Sequence, residues 1–388
     1  MKTLIKNAKI VTASEILERH SLLISDGNIA YIGKEHPCAD MEIDADGALL
    51  LPGFVDLHCH GGGGYEFMDA GVDEIGKISD FHLAHGTTTM LATTLASSDE
   101  ELVGALDNLS EFLSERESSI VGAHLEGPWF NPEECGAQNP ECIRAPREGE
   151  LRELISKYPF IKRISAAPEI DGCLSLGKEA SECGVLASVA HTAADFSTVE
   201  EARKNGYTLM THLYSGMRGV TRKNSFRIAG AVEAGLYFDD LFVEIIADGC
   251  HLPPELLRYI YKIKGSDRIA LITDAIRAAG MPEGSMTKIG SLVAGLDVVV
   301  EDGVAKLPSR QSFAGSAATA DRLYNTMLRA TGCGYVEASR MSSLTPARIL
   351  GLTDRGEIAV GKRADILIAT EGDDGIKIDI TILGGILK

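Results

Sequence analysis

No stretch of this chain is both long enough and apolar enough to cross a bilayer. The longest run free of Asp, Glu, Lys and Arg, Phe81 to Ser98, carries two histidines and seven Ser or Thr residues, a composition that hydrocarbon does not accept. The N-terminal segment alternates polar and apolar residues and soon meets Glu15, Glu18 and Arg19, so it lacks the unbroken apolar centre of a secretory leader. A cytoplasmic address is expected, with no membrane partner. There is no C-x-x-C pair among the eight cysteines, and their scatter suits reduced thiols rather than a disulfide framework. Basic residues are the minority: 37 Lys and Arg against 56 Asp and Glu leave a net charge of −19, which repels nucleic acid. Also missing are a G-x-S-x-G nucleophile elbow and a Gly-rich dinucleotide fingerprint after the first barrel-like run, which argues against serine hydrolases and Rossmann enzymes.

What is present is enough for a large domain and a smaller one. At 388 residues, 45% apolar and 24% charged, the composition is that of a globular chain with a sizeable core. The first 50 residues read as short strands with a turn at Asp26-Gly27-Asn28, and Ala364 to Ala369 and Ile376 to Leu383 are β-rich runs near the other end. The two ends are expected to pair into one small β domain, residues 1–50 with 350–388. Between them, over 51–349, apolar runs alternate with segments of helical period. The runs are Leu50 to His58, Thr87 to Thr94, Ile120 to Glu126, Arg163 to Ala167, Val185 to His191, Thr208 to His212, Phe242 to Asp248 and Ile269 to Asp274. Helix starts are marked at Ser98-x-x-Glu101 and Ser197-x-x-Glu200. Eight βα units predict an α/β fold of the (β/α)8 TIM-barrel type, preferred here over a doubly wound sheet.

Active sites of such barrels lie at the C-terminal ends of the strands. Six polar residues fall there: His58 and His60 after the first run, Glu126 after the third, His191 after the fifth, His212 after the sixth and Asp274 after the eighth. Imidazole and carboxylate together suit zinc or another first-row divalent ion, and fewer than four protein ligands per ion leaves a position open to water. One histidine at a strand end is most often a surface or core residue, and His20, His36, His82, His85 and His124 are read that way. Six converging positions on one barrel face are hard to reconcile with chance. His58 and His60 share a strand face by the two-residue alternation, which points Cys59 away.

The segments LPGFVDLHCHGG, AHLEGPWFNP, SVAHTAADF, MTHLYSGM, IADGCHLPP, LITDAIRAAGMPEG and FAGSAATADR resemble the N-acetylglucosamine-6-phosphate deacetylases of the amidohydrolase superfamily, in order and over nearly the whole chain. H-L-E-G-P with T-H-L-Y carries more weight than the H-x-H, which marks only the superfamily. The resemblance implies a β-sandwich beside a metal-dependent barrel, a homodimer with shared substrate sites, and hydrolysis of the acetamide of a phosphorylated amino sugar. It implies Glu126, His191 and His212 as ligands of the main ion, with His58 and His60 for a second ion bridged by Glu126. Zinc is expected first, with iron, manganese, cobalt or nickel as alternatives, one or two ions per subunit. Asp274 matches the acid/base, Gln138 stands where some relatives place a histidine beside the amide carbonyl, and His251 matches the phosphate contact.

Two stretches depart from the family pattern. Ser215-Gly216 stands where relatives have Asn-Ala, so only main-chain contacts to substrate are expected there. Lys223-Asn224-Ser225-Phe226-Arg227 replaces an R-E-P segment whose arginine reaches the phosphate across a dimer. No acid lies between Ala202 and Val232, while six arginines and lysines do, and Arg227 or Arg222 from this positive island is expected to serve as the replacement. Other amidohydrolase activities, such as a cyclic amidase, a deaminase or a deacetylase of a different acylated amino sugar, remain as alternatives. Lys162 at the start rather than the end of the fourth run disfavours the dihydroorotase kind. A non-catalytic scaffold is the remote alternative.

Overall fold

The computed structural model describes residues 1–388 and contains a parallel eight-stranded barrel. Its strands are β1 (Phe54–Cys59), β2 (Thr87–Thr93), β3 (Ile120–Glu126), β4 (Ile161–Ala166), β5 (Leu186–Val189), β6 (Tyr207–Met210), β7 (Phe242–Ile245) and β8 (Ile269–Leu271). Each pairs with the next in chain order. Between β8 and β1 the barrel is closed by the residues just after β8: Asp274 N–H donates to His58 O at 2.8 Å, and His60 N–H donates to Ala275 O at 2.8 Å. The walls are almost wholly buried, as strands covered on both faces must be. No helix is long and apolar enough to cross a membrane.

The termini form a second sheet. Strands Lys2–Val11, Ile16–Ser25, Asn28–Gly33, Met41–Asp44 and Leu49–Pro52 join Ile366–Gly372, Gly375–Leu383 and Ile386–Leu387 in one eight-stranded sheet. The ends meet where Leu49–Pro52 runs antiparallel to Ile366–Gly372, with Leu50 opposite Ile368. The expected single run Leu50 to His58 is therefore two strands in different sheets. The break is at Gly53, where any Cβ would stand 2.1 Å from Thr88 Oγ1; only glycine lets the chain pass that close to β2.

Helix Asp99–Glu115 starts as expected, with Ser98 and Glu101 forming a reciprocal capping box. The helix after β5, Phe196–Lys204, starts differently: its cap is Asp195, whose Oδ1 accepts from Thr198 N–H and from the Ser197 and Thr198 hydroxyls. A carboxylate at the positive end of a helix out-competes a serine two residues later. An unforeseen insertion follows β8, a three-stranded antiparallel sheet of Met286–Ile289, Leu296–Glu301 and Val304–Lys306. It matters because Ile289, Ser312, Phe313 and Gly315, within or just after it, wall the mouth of the barrel.

Candidate active site

Three of the strand-end residues sit just past the paired part of their strands. The ladders of β5, β6 and β8 stop at Val189, Met210 and Leu271, and His191, His212 and Asp274 follow with φ of 44°, 29° and 48°. Such left-handed backbone costs a non-glycine residue about 1–3 kcal/mol and persists where surrounding structure enforces it. Here it swings the three side chains into the barrel mouth.

The result is one buried cluster built around Glu126. His212 Nε2 lies 3.0 Å and His191 Nε2 3.4 Å from Glu126 Oε1. His58 Nε2 is 3.4 Å from the same oxygen, and His60 Nε2 is 3.4 Å from Oε2. Asp274 Oδ1 stands 3.1 Å from His60 Nε2 and 3.4 Å from His58 Nε2. Two sets of ligand atoms, His58 with His60 and Glu126, and Glu126 with His191 and His212, each lie within 4.8 Å of one another.

The second nitrogen of each ring decides what the first can do. His191 Nδ1 faces Glu134 O at 2.9 Å, His212 Nδ1 faces Ser215 O at 3.1 Å and His60 Nδ1 faces Thr93 O at 3.2 Å. A carbonyl oxygen only accepts, so those nitrogens carry the proton and leave Nε2 as a lone pair aimed at Glu126. His58 Nε2 and His60 Nε2 face each other at 3.1 Å. Two such nitrogens that close need a proton or a cation between them. The donor set fits a divalent first-row ion, and the shared carboxylate gives room for two.

The charges balance in the same sense. Burial opposes ionisation of Glu126, but the imidazoles that face it, His58 first, outweigh it and hold the carboxyl well below its ordinary range. Asp274 is likewise pushed up by burial and pulled down further by His58 and His60, so it stays ionised. Burial lowers His212, favouring the neutral ring that binds metal.

Around this centre is a cavity of about 220 Å³. Gln138 lines it, with Oε1 accepting from Ala96 N–H at 2.8 Å and Nε2 donating to Glu126 Oε2 at 2.6 Å. That pairing fixes the amide orientation and leaves one Gln138 N–H for another acceptor. His251 lines it too, its Nδ1 held 2.8 Å from Asp248 Oδ2 and its ring against Phe313. Ser215 and Gly216 complete that wall, while His58 lies beneath it. Cys59 is buried away from the mouth, its Sγ 3.2 Å from His82 Nε2, and burial pushes the thiol well above its ordinary value. Lys162 is exposed on the barrel's outside.

Arg222 and Arg227 are not brought into this cavity. They face each other on an exposed hairpin, Thr221–Lys223 with Phe226–Ile228, turning through Asn224 and Ser225 at φ of 49° and 70°. The positive island seen in the sequence is also smaller in space. Arg203 pairs with Asp240, Arg218 with Glu133 and Glu134, and Lys204 lies near Glu200 and Glu201. Acids distant in sequence pair with Arg203 and Arg218, and Lys204, though exposed, has acids one helical turn away, so only the hairpin cations of that stretch have no acid beside them. Sequence reasoning missed two buried charges under the site, Arg163 of β4 and Glu244 of β7. The signal was there: each is a charge at an inward-facing position of a mostly apolar strand, and beside Arg163 the outward Lys162 marks the alternation.

A barrel whose strand ends deliver four imidazoles and two carboxylates to one mouth defines a metal-dependent hydrolase of the amidohydrolase class. The sequence matches the amidohydrolase family over residues 49–387, and the chain belongs to that family, within its N-acetylglucosamine-6-phosphate deacetylase branch. It is 33% identical to an N-acetylglucosamine-6-phosphate deacetylase of Bacillus subtilis, covering 95% of this chain and 93% of the relative. It is 32% identical to an N-acetylgalactosamine-6-phosphate deacetylase of Escherichia coli O157:H7, covering 96% of each. Among solved structures, a mutant N-acetyl-D-glucosamine-6-phosphate deacetylase of Mycobacterium smegmatis, in complex with N-acetyl-D-glucosamine 6-phosphate, superimposes with a TM-score of 0.90 at 31% identity, covering 100% of this chain and 99% of the other.

Proposed function

We propose that this protein hydrolyses the acetamide of N-acetylglucosamine 6-phosphate to glucosamine 6-phosphate and acetate, a step of amino-sugar catabolism in the cytosol. The observation that carries the reading is Asp274: an ionised carboxylate 3.1 Å from His60 Nε2, at the mouth of a cavity whose floor is Glu126. The relatives supply the substrate class.

Glu126, His191 and His212 would hold the main ion and His58 and His60 a second, zinc being the first choice for so many imidazoles. A divalent ion there makes water nucleophilic at neutral pH and polarises a carbonyl. The chain's own residues do the rest. Asp274 takes a proton from the attacking water as its oxygen joins the acetamide carbon. The free N–H of Gln138 points at the charge that develops on the carbonyl oxygen. Asp274 then returns the proton to the sugar nitrogen as the C–N bond breaks, which turns a poor leaving group into an amine. His251, anchored by Asp248, presents Nε2 to the phosphate. Arg227 or Arg222, exposed on a hairpin outside its own cavity, would reach the phosphate of a partner subunit in a homodimer.

The test is acetate release from N-acetylglucosamine 6-phosphate, N-acetylgalactosamine 6-phosphate and unphosphorylated N-acetylglucosamine. The first should have the highest kcat/KM, by at least about tenfold over the unphosphorylated sugar. Preference for the galacto epimer, which relatives of nearly equal identity leave open, would reassign the substrate. Equal rates with and without phosphate would remove the anion subsite.

A further inference from the structure

Three of the four clustered histidines have Nδ1 tied to a carbonyl oxygen, and His58 does not. Its Nδ1 is buried without a hydrogen-bond partner and faces Oε2 of Glu244 at 3.7 Å. Glu244 lies in β7, wholly buried. Arg163 of β4, equally buried, grips it with two prongs, Nη1 to Oε1 and Nη2 to Oε2, the second at 2.9 Å. The guanidinium also donates to Leu57 O at 3.1 Å, Ser188 Oγ at 3.1 Å and Thr211 Oγ1 at 2.9 Å. Leu57 and Thr211 immediately precede His58 and His212, and His212 N–H itself donates to Glu244 Oε2 at 3.4 Å.

Buried ion pairs of this kind often add no net stability over apolar residues of equal volume, so packing alone does not explain it. An imidazole that binds a cation through Nε2 keeps its proton on Nδ1, and an acceptor there fixes the ring and strengthens the ligand. We infer that Glu244, held in place by Arg163, is a positioning residue for His58: it accepts the Nδ1 proton and aims Nε2 at the His58–His60–Glu126 position. His212 does not depend on it in the same way, because Ser215 O already holds its ring. The effect of the pair therefore falls on one of two adjacent cation positions. This rests on His58 being a ligand, which the experiment checks separately.

Metal-free protein is titrated with Zn²⁺ against a chromophoric chelator, which counts the bound equivalents and measures their affinities. Wild type should take up two equivalents and His58→Ala one. Fewer than two in wild type, or two in His58→Ala, would remove His58 as a ligand and the inference with it. Given two and one, Glu244→Gln should bind the second equivalent about 10–100-fold more weakly, with the first equivalent unchanged. Since that variant strands Arg163 without a counter-charge, Arg163→Met/Glu244→Leu removes both members of the pair, and it should show the same selective loss. Wild-type affinity for both equivalents in either folded variant, or equal weakening of both, would overturn the inference.

Discussion

Gly216 and His191 approach so closely that nothing fits between them: a Cβ on Gly216, at φ +54°, would stand 2.7 Å from His191 Nδ1 and 3.1 Å from Glu134 O, the carbonyl that holds that nitrogen. Gly216 is thus part of the mould that shapes a candidate ligand, beyond any contact with substrate. Gly216→Ala should break the Nδ1 hydrogen bond and tilt the ring, weakening the cation at the Glu126–His191–His212 position by about tenfold or more. Metal content after dialysis reads this directly, and full retention with unchanged activity would contradict it.

Asp274→Asn should keep its metal yet turn over about 10²–10⁴-fold more slowly, because the amide neither takes nor returns a proton. The comparison needs kcat and elemental analysis on the same preparation. Near-wild-type turnover would take Asp274 out of the mechanism.

Much of the barrel was legible in sequence, because buried parallel strands read as apolar runs and the candidate site residues gather at their ends. The limits of β2 and β3 agree with Thr87 to Thr94 and Ile120 to Glu126 to within a residue. Elsewhere the runs overshot: Val185 to His191 and Ile269 to Asp274 continue past the last paired residues, Val189 and Leu271. Composition does not distinguish a residue in a ladder from one turned out of it by a positive φ. Arg163 and Glu244 escaped notice for another reason: their partners come from strands far apart in sequence. The same holds for the acids that neutralise Arg203 and Arg218.

Metal uptake should release protons. In the metal-free protein, burial opposes charge on His58, but Glu126 and Asp274 outweigh it and raise the imidazole from 6.5 to about 10. With the folded value above the unfolded one, the group contributes stability that is complete below pH about 6.5 and fades as pH rises toward about 10. At neutral pH a cation at Nε2 must displace that proton. Calorimetric binding heats in buffers of different ionisation enthalpy should reveal release of about one proton; heats independent of buffer would contradict the protonated ring.

Ser98→Ala should cost about 1 kcal/mol of stability by opening the capping box in which Ser98 Oγ accepts from Glu101 N–H at 3.2 Å. Glu101 also accepts from Ser291 Oγ at 2.7 Å, tying this helix to the insertion after β8. The urea midpoint should fall while KM stays within about twofold. A midpoint equal to wild type would show that the cap is dispensable.

Glu126 belongs to both candidate sets of ligands, so a single substitution tests the site as a whole. Metal content and acetate release from N-acetylglucosamine 6-phosphate, measured together on wild type and Glu126→Ala, should both be present in the first and both be lost in the second. A folded Glu126→Ala protein that keeps its metal and still releases acetate would contradict a hydrolase built around this carboxylate.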